Sequence, residues 1–197
     1  MAEARPSRVL EVGCGRGELA ERIVREVGAE LVAVDMSERM VQLALARGVD
    51  ARVGDVQELA FANASFDSAV AAWMLYHVPD LDRGLAELAR VLRPGGRLVA
   101  VTNSRDSLAE LWGQLGSRGV RIHPFNAENG AQALSRQFAR VERREARGTV
   151  TFADWGAAHE YVANSVSRAD LADELPRFDG PLVCTRLTVV FVAETAA

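Results

Sequence analysis

The chain has 197 residues, a formal net charge of −4 at neutral pH, 49% apolar residues and 25% charged residues. That is the profile of one globular domain, 1–197, large enough to bury a core without disulfide or metal staples. Neither sign of charge is concentrated anywhere, so nucleic acid and membrane surfaces are not expected partners.

The first residues, Met1 to Arg8, contain no apolar stretch of the kind that directs secretion. Arg8 to Val12 is a short apolar run ending in glycines, which predicts a buried strand and a tight turn. Glu18 to Val27 carries Leu19, Ile23, Val24 and Val27 at helical spacing, and Gly28 is a natural stop. Leu31 to Val34 predicts a second strand, closed by Asp35. Ser37 can cap the helix that holds Met40, Val41, Leu43 and Leu45 and ends at Gly48. Ala51–Val53 and Phe66–Ala72 read as further strands. Leu81 to Leu92 reads as a helix, Pro94-Gly95-Gly96 as its break, and Arg97 to Thr102 as a fifth strand. Strand and helix alternate throughout, which predicts a parallel sheet covered on both faces by helices.

Beyond residue 102 the pattern loosens. Ser107–Leu115, Gly130–Gln137 and Trp155–Asn164 read as helices. Arg140–Thr151 reads as a strand bent at Gly148, and Leu187–Ala193 as the last strand. The longest apolar run, Ala69 to Leu75, is too short to cross a bilayer. Cys14 and Cys184 belong to no metal-spaced or CxxC pair, so reduced thiols in a cytoplasmic protein are expected.

Chemistry concentrates after the first strand. Gly13, Gly15 and Gly17 permit positive φ and let the backbone approach a ligand. Alone they do not choose one: Gly15 to Ala20 also fits the GxGxxA pattern of nicotinamide dinucleotide enzymes. Glu11 on the loop's approach repels a pyrophosphate and favours an ammonium group. Asp35, at the end of the second strand, can accept both hydroxyls of a ribose, whichever nucleotide carries it. Asp55 can accept from an adenine amino group while the Val56 amide donates to the ring, although Gly54-Asp55 also suits a plain turn.

Five segments, Val9–Gly17, Val34–Ser37, Gly54–Val56, Phe66–Val70 and Arg90–Leu98, stand in an order that resembles class I S-adenosylmethionine (SAM)-dependent methyltransferases. The resemblance is to the type 11 group, related to ubiquinone and menaquinone biosynthesis methyltransferases. It implies a Rossmann-like, doubly wound α/β fold: a seven-stranded, mostly parallel sheet with an antiparallel last strand. Residues 8–102 would form the cofactor-binding half and 103–197 the acceptor-side half.

By the same resemblance Glu11, Gly13, Cys14, Gly15 and Gly17 would surround the methionine part of SAM. Asp35 would hold the ribose and Met36 would pack on the adenine, whereas Met40 is either a second adenine contact or, the favoured reading, ordinary helix core. Asp55 and Val56 would hold the adenine edge, and Ala71, Ala72 and Trp73 would line the methyl side. The product would be S-adenosylhomocysteine.

Methyl transfer from a sulfonium chiefly requires alignment of nucleophile, methyl and sulfur. A base is needed only for an acceptor of high pKa. His77 is a candidate for that role or for lining the pocket. Tyr76 and His123 are candidates for the acceptor pocket, whereas His159 lies among packing residues. The expected acceptor is a small molecule, and no metal cluster is present in the sequence.

Relatives in this group carry a helical segment before the first strand, which here begins near Arg8. Unless the true start lies earlier, a more open pocket and weak SAM affinity are expected, with Trp155–Asp173 or a second subunit of a homodimer as cover. The alternatives are a non-catalytic SAM-binding module and a nicotinamide oxidoreductase; absent lysine removes the usual Ser/Tyr/Lys set of the latter.

Overall fold

A computed structural model describes residues 6–116, 123–165 and 168–197. Met1–Arg5 and the Arg121-Ile122 approach to His123 lie outside them. So does part of the expected Trp155–Asp173 cover.

The elements are β1 (Arg8–Val12), α1 (Glu18–Val27), β2 (Glu30–Asp35), α2 (Glu38–Ala46), β3 (Asp50–Val53), β4 (Phe66–Ala72), α3 (Leu81–Val91) and β5 (Leu92–Asn103). They continue with α4 (Ala109–Gly113), α5 (Gly130–Leu134), β6 (Arg140–Phe152), α6 (Trp155–Ala163) and β7 (Leu182–Glu194). Single 3₁₀ turns occupy Leu75–His77 and Ala169–Glu174.

The seven strands form one sheet in the order β3-β2-β1-β4-β5-β7-β6. Strands β1 to β5 pair in parallel, and β7 runs antiparallel to both neighbours. The fold class expected from the sequence is therefore the one observed. Strand order reverses beside β1, so the carboxyl ends of β1 and β4 flank the crevice where such sheets take ligands.

Strands β1 and β2 are buried on both faces, which explains why they read as continuous apolar runs. Leu10, Val12, Ala69, Ala71, Leu98 and Ala100 face α3 and α5 in one core. Val9, Leu31, Ala33 and Ala51 pack with Ala20, Val41 and Ala44 of α1 and α2 in a second. Ser37 caps α2 by accepting from the Met40 amide, and Asp80 caps α3 by accepting from Arg83. Each cap satisfies an orphan donor of a first turn.

Three sequence expectations need correction. Pro94-Gly95-Gly96 does not separate a helix from a strand, because β5 already begins at Leu92. The register with β4 jumps between Phe66 and Ser68, a bulge that absorbs the extra residues. Second, β6 runs one residue beyond Thr151, and every residue from Arg140 to Phe152, Gly148 included, has a partner on β7. Third, the helices after β5 are shorter than their patterns, at Ala109–Gly113 and Gly130–Leu134.

Strand β7 meets β5 only over Thr188–Glu194, whereas it meets β6 along its whole length. The far end of the β6–β7 ribbon thus projects past the main sheet. Leu111, Phe152, Ala158, Val162, Leu171 and Cys184 cover it as a third core.

Candidate active site

The loop after β1 is tied down by its own backbone. The Gly13 and Cys14 amides both donate to the Val34 carbonyl at the end of β2, at 2.7 and 3.2 Å. Gly15 donates to Asp35 Oδ2 at 2.9 Å, and Ser37 donates to Asp35 Oδ1 at the same distance. Asp35 thus has a role the sequence did not reveal. Besides the ligand contact expected of it, it fixes the loop against β2.

Two glycines are obligatory here. Gly13 has φ +67°, and a Cβ would lie 2.6 Å from Met74 Cβ. Gly17 has φ +79°, and its Cβ would lie 2.8 Å from Ala44 Cβ and 3.0 Å from Ala44 Cα. Both positions combine left-handed backbone with no room for a side chain.

Glu11 is the chemical anomaly of the region. It lies mid-strand and only 2% exposed. Its Oε2 has no hydrogen-bond partner among the described residues. Burial, and then the nearby Asp35 carboxylate, push its carboxyl up to about 7. A buried carboxylate without a counter-charge is costly, so this one is set up for a cation. Burial, with Glu11 and Asp35 adding to it, likewise pushes the Cys14 thiol up to about 12. Cys14 is thus a neutral, buried wall and not a nucleophile.

The remaining expected cofactor residues are spread around this loop. Met36 is 67% exposed beside Asp35. Val56 is buried, leaving its backbone rather than its side chain for a ligand. Both oxygens of Asp55 accept from the Gln57 side chain, and Oδ1 also accepts from the Gln57 amide. The Asp55 turn is therefore self-contained. Ala71 is wholly buried and shapes the site only from within the sheet.

Trp73 stands in left-handed backbone at φ +54° just past β4. Its indole donates to Asn103 Oδ1 at 3.3 Å, and Thr188 of β7 donates to the same oxygen at 3.1 Å. The indole therefore leans toward the ends of β5 and β7.

Beyond that edge a cavity of about 660 Å³ opens. Its walls bring together the three pocket residues expected from the sequence, Tyr76, His77 and His123, with Asn103, Trp112 and Tyr161. The Tyr76 ring lies 4.4 Å from His77 and 5.3 Å from His123. Arg168 sits 4.2 Å above Trp112 and also faces the cavity. Burial holds the His77 imidazole below the usual histidine range, so it is neutral at pH 7. His159 stacks on Trp155 at 4.6 Å, away from this cavity.

Asn103, Trp112, Tyr161 and Arg168 were not singled out in the sequence. Only the polar end of the apolar run Leu98–Thr102 hinted at Asn103. Among the described residues no group of histidine, cysteine, aspartate and glutamate could hold a metal, and no helix is long and apolar enough to cross a membrane.

Comparison with known proteins supplies independent findings. Residues 10–100 match the family model described as Methyltransferase domain. The chain is 40% identical over 110 residues to the ubiquinone biosynthesis O-methyltransferase of Xanthomonas oryzae, covering 52% of this chain and 46% of that protein. It thus spans about half the length of the curated relatives it matches. Among solved structures, the YcgJ protein of Bacillus subtilis superposes with a TM-score of 0.72 at 18% identity, covering 100% of this chain and 95% of that one. The phosphoethanolamine N-methyltransferase 2 of Haemonchus contortus, solved with S-adenosylhomocysteine, gives 0.65 at 20% identity, covering 97% and 49%. At these identities the two structures speak for the fold alone.

Proposed function

We propose that this chain, which through residues 10–100 belongs to the type 11 methyltransferase-domain family, transfers the methyl group of SAM to an oxygen of a small molecule held in the 660 Å³ cavity. The observation that carries the reading is Glu11: a buried carboxylate with an unpartnered oxygen beside a glycine loop. The residues fit an aminoacyl-nucleoside cation. Glu11 offers its charge to the ammonium group. Asp35, already oriented by two backbone amides, keeps free lone pairs for ribose hydroxyls. Gly13 and Gly15 expose backbone at close range.

When bound, SAM supplies a methyl group already activated by a sulfonium. The protein's contribution is placement, which is worth roughly 7–11 kcal/mol where geometry is well held. The tied-down glycine loop provides rigidity on one side. Tyr76, Trp112 and Tyr161 provide flat walls on the other. His77 is neutral and lines the cavity, so it can take the proton that an attacking hydroxyl releases. An oxygen acceptor is favoured by the name of the Xanthomonas relative. A nicotinamide dinucleotide is disfavoured, because its pyrophosphate would face the buried Glu11 carboxylate.

Mass spectrometry of small molecules extracted from the purified chain tests this. SAM or S-adenosylhomocysteine is the expected companion. Stoichiometric nicotinamide dinucleotide would overturn the assignment.

A further inference from the structure

Asn103 closes β5 at the boundary between the glycine-loop side and the cavity. Its Oδ1 accepts from Trp73 Nε1 and Thr188 Oγ1. An indole N–H can only donate, so it fixes which end of the carboxamide is oxygen. Thr188, the register partner of Asn103 across the sheet, adds a second bond to the same oxygen and holds the carboxamide in place. With the donor-only indole on Oδ1, turning the amide over would lose that bond and set an N–H against an N–H. Its NH₂ is thereby committed, and no hydrogen bond from Nδ2 is made among the described residues. Asn103 lines the cavity together with Tyr76 and His77. Left-handed backbone at a tryptophan is uncommon and costs free energy. Here it is what brings the indole to Asn103.

We infer that Asn103 is a specificity-determining residue whose Nδ2 donates a hydrogen bond to the oxygen of the acceptor. Trp73 and Thr188 are positioning residues that hold the amide in that orientation. This rests on reading the cavity as the acceptor site. It deepens that reading, because a fixed N–H donor selects an acceptor bearing an oxygen with a free lone pair over its carbon isostere. It also gives the Trp73 indole N–H, already bound to Asn103, a role on the acceptor side.

The test uses the full chain and two fluorinated probes of nearly equal shape, 4-fluoroanisole and 4-fluoroethylbenzene, titrated by ¹⁹F NMR. The ether oxygen can only accept, and the ethyl probe offers a methylene in its place. The wild type should bind the anisole roughly fivefold more tightly, the value of one ordinary hydrogen bond. Asn103→Asp keeps Oδ1 for Trp73 and Thr188 but replaces the donor with an acceptor, so the preference should vanish or reverse. Trp73→Phe frees the amide to turn, so the preference should fall to roughly twofold. A wild type that binds both probes equally, or neither, overturns the inference. So does an Asn103→Asp variant that keeps the preference, because a purely structural Asn103 would behave that way. Calorimetric titration of the same samples with S-adenosylhomocysteine reads the parent proposal separately. Heat of binding without probe preference removes only the role of Asn103. Probe preference without that heat removes the methyl-transfer reading and leaves an oxygen-selective pocket.

Discussion

Residues 8–103 and the remainder of the chain solve different problems. The first half is five parallel strands between two helical layers, and its functional groups are set by local backbone: Gly13, Gly15 and Gly17, Glu11 within β1, and Asp35 tied to amides. The second half is built on the β6–β7 ribbon, with its own apolar cluster and a wall of aromatic side chains. A site made of backbone is fixed by local geometry. A site made of side chains at the ends of distant elements can be exchanged without disturbing the sheet. The two halves should therefore respond differently to substitution.

The largest effect is expected in the first half. Gly17→Val places a β-branched side chain on left-handed backbone against the Ala44 backbone. It should cost at least about 3 kcal/mol and abolish cofactor binding. Urea denaturation of the variant checks this; wild-type stability would show that the loop is more yielding than its geometry.

His77→Gln comes next and acts on the acceptor side. Loss of the neutral base should lower single-turnover formation of S-adenosylhomocysteine with a phenolic acceptor about a hundredfold. Cofactor affinity should stay unchanged. A variant with undiminished turnover would reduce His77 to a wall.

Glu11 gives a pH signature confined to the first half. Its carboxyl is raised from the usual 4.5 to about 7 in the fold, so the folded chain binds the extra proton. Its ionisation therefore costs stability progressively as pH rises from about 4.5 to about 7, and the loss is constant above that. The shift corresponds to about 3 kcal/mol at most. Glu11→Gln should melt several degrees higher than wild type at pH 8 without ligand, and at the same temperature at pH 4. The same variant should bind S-adenosylhomocysteine more weakly at pH 8, because the ammonium loses its partner. Equal melting temperatures at pH 8 would mean that Glu11 is compensated by another charge.

The smallest effect should separate the halves most cleanly. Trp112→Ala removes cavity wall and the platform under Arg168. It should weaken acceptor binding about tenfold and change cofactor affinity by less than about twofold, because distant sites act independently. A matching loss at both sites would join the halves into one unit.

Legibility followed the same division. Buried parallel strands betray themselves as apolar runs, so β1 to β4, Glu11, the glycines and Asp35 could be read directly from the chain. Pro94-Gly95-Gly96 misled because a bulge tolerates residues that normally end elements. The length of β6 was set by its partner: an exposed strand rich in arginine and glutamate carries little apolar signal, and pairing with β7 supplied the missing order. Asn103 became meaningful only through Thr188 and Trp73, 85 and 30 residues away. No local pattern encodes such a junction. Likewise Asp55 offered a plausible ligand contact in sequence, and its bonds to Gln57 appear only in three dimensions.

The most direct measurement is calorimetric titration of the full chain at pH 8 with S-adenosylhomocysteine and, separately, with NADH. A single saturable site for S-adenosylhomocysteine, weakened in Glu11→Gln, and no heat with NADH is the predicted result. Saturable NADH binding with no response to S-adenosylhomocysteine would contradict the account at its centre, the loop behind Glu11.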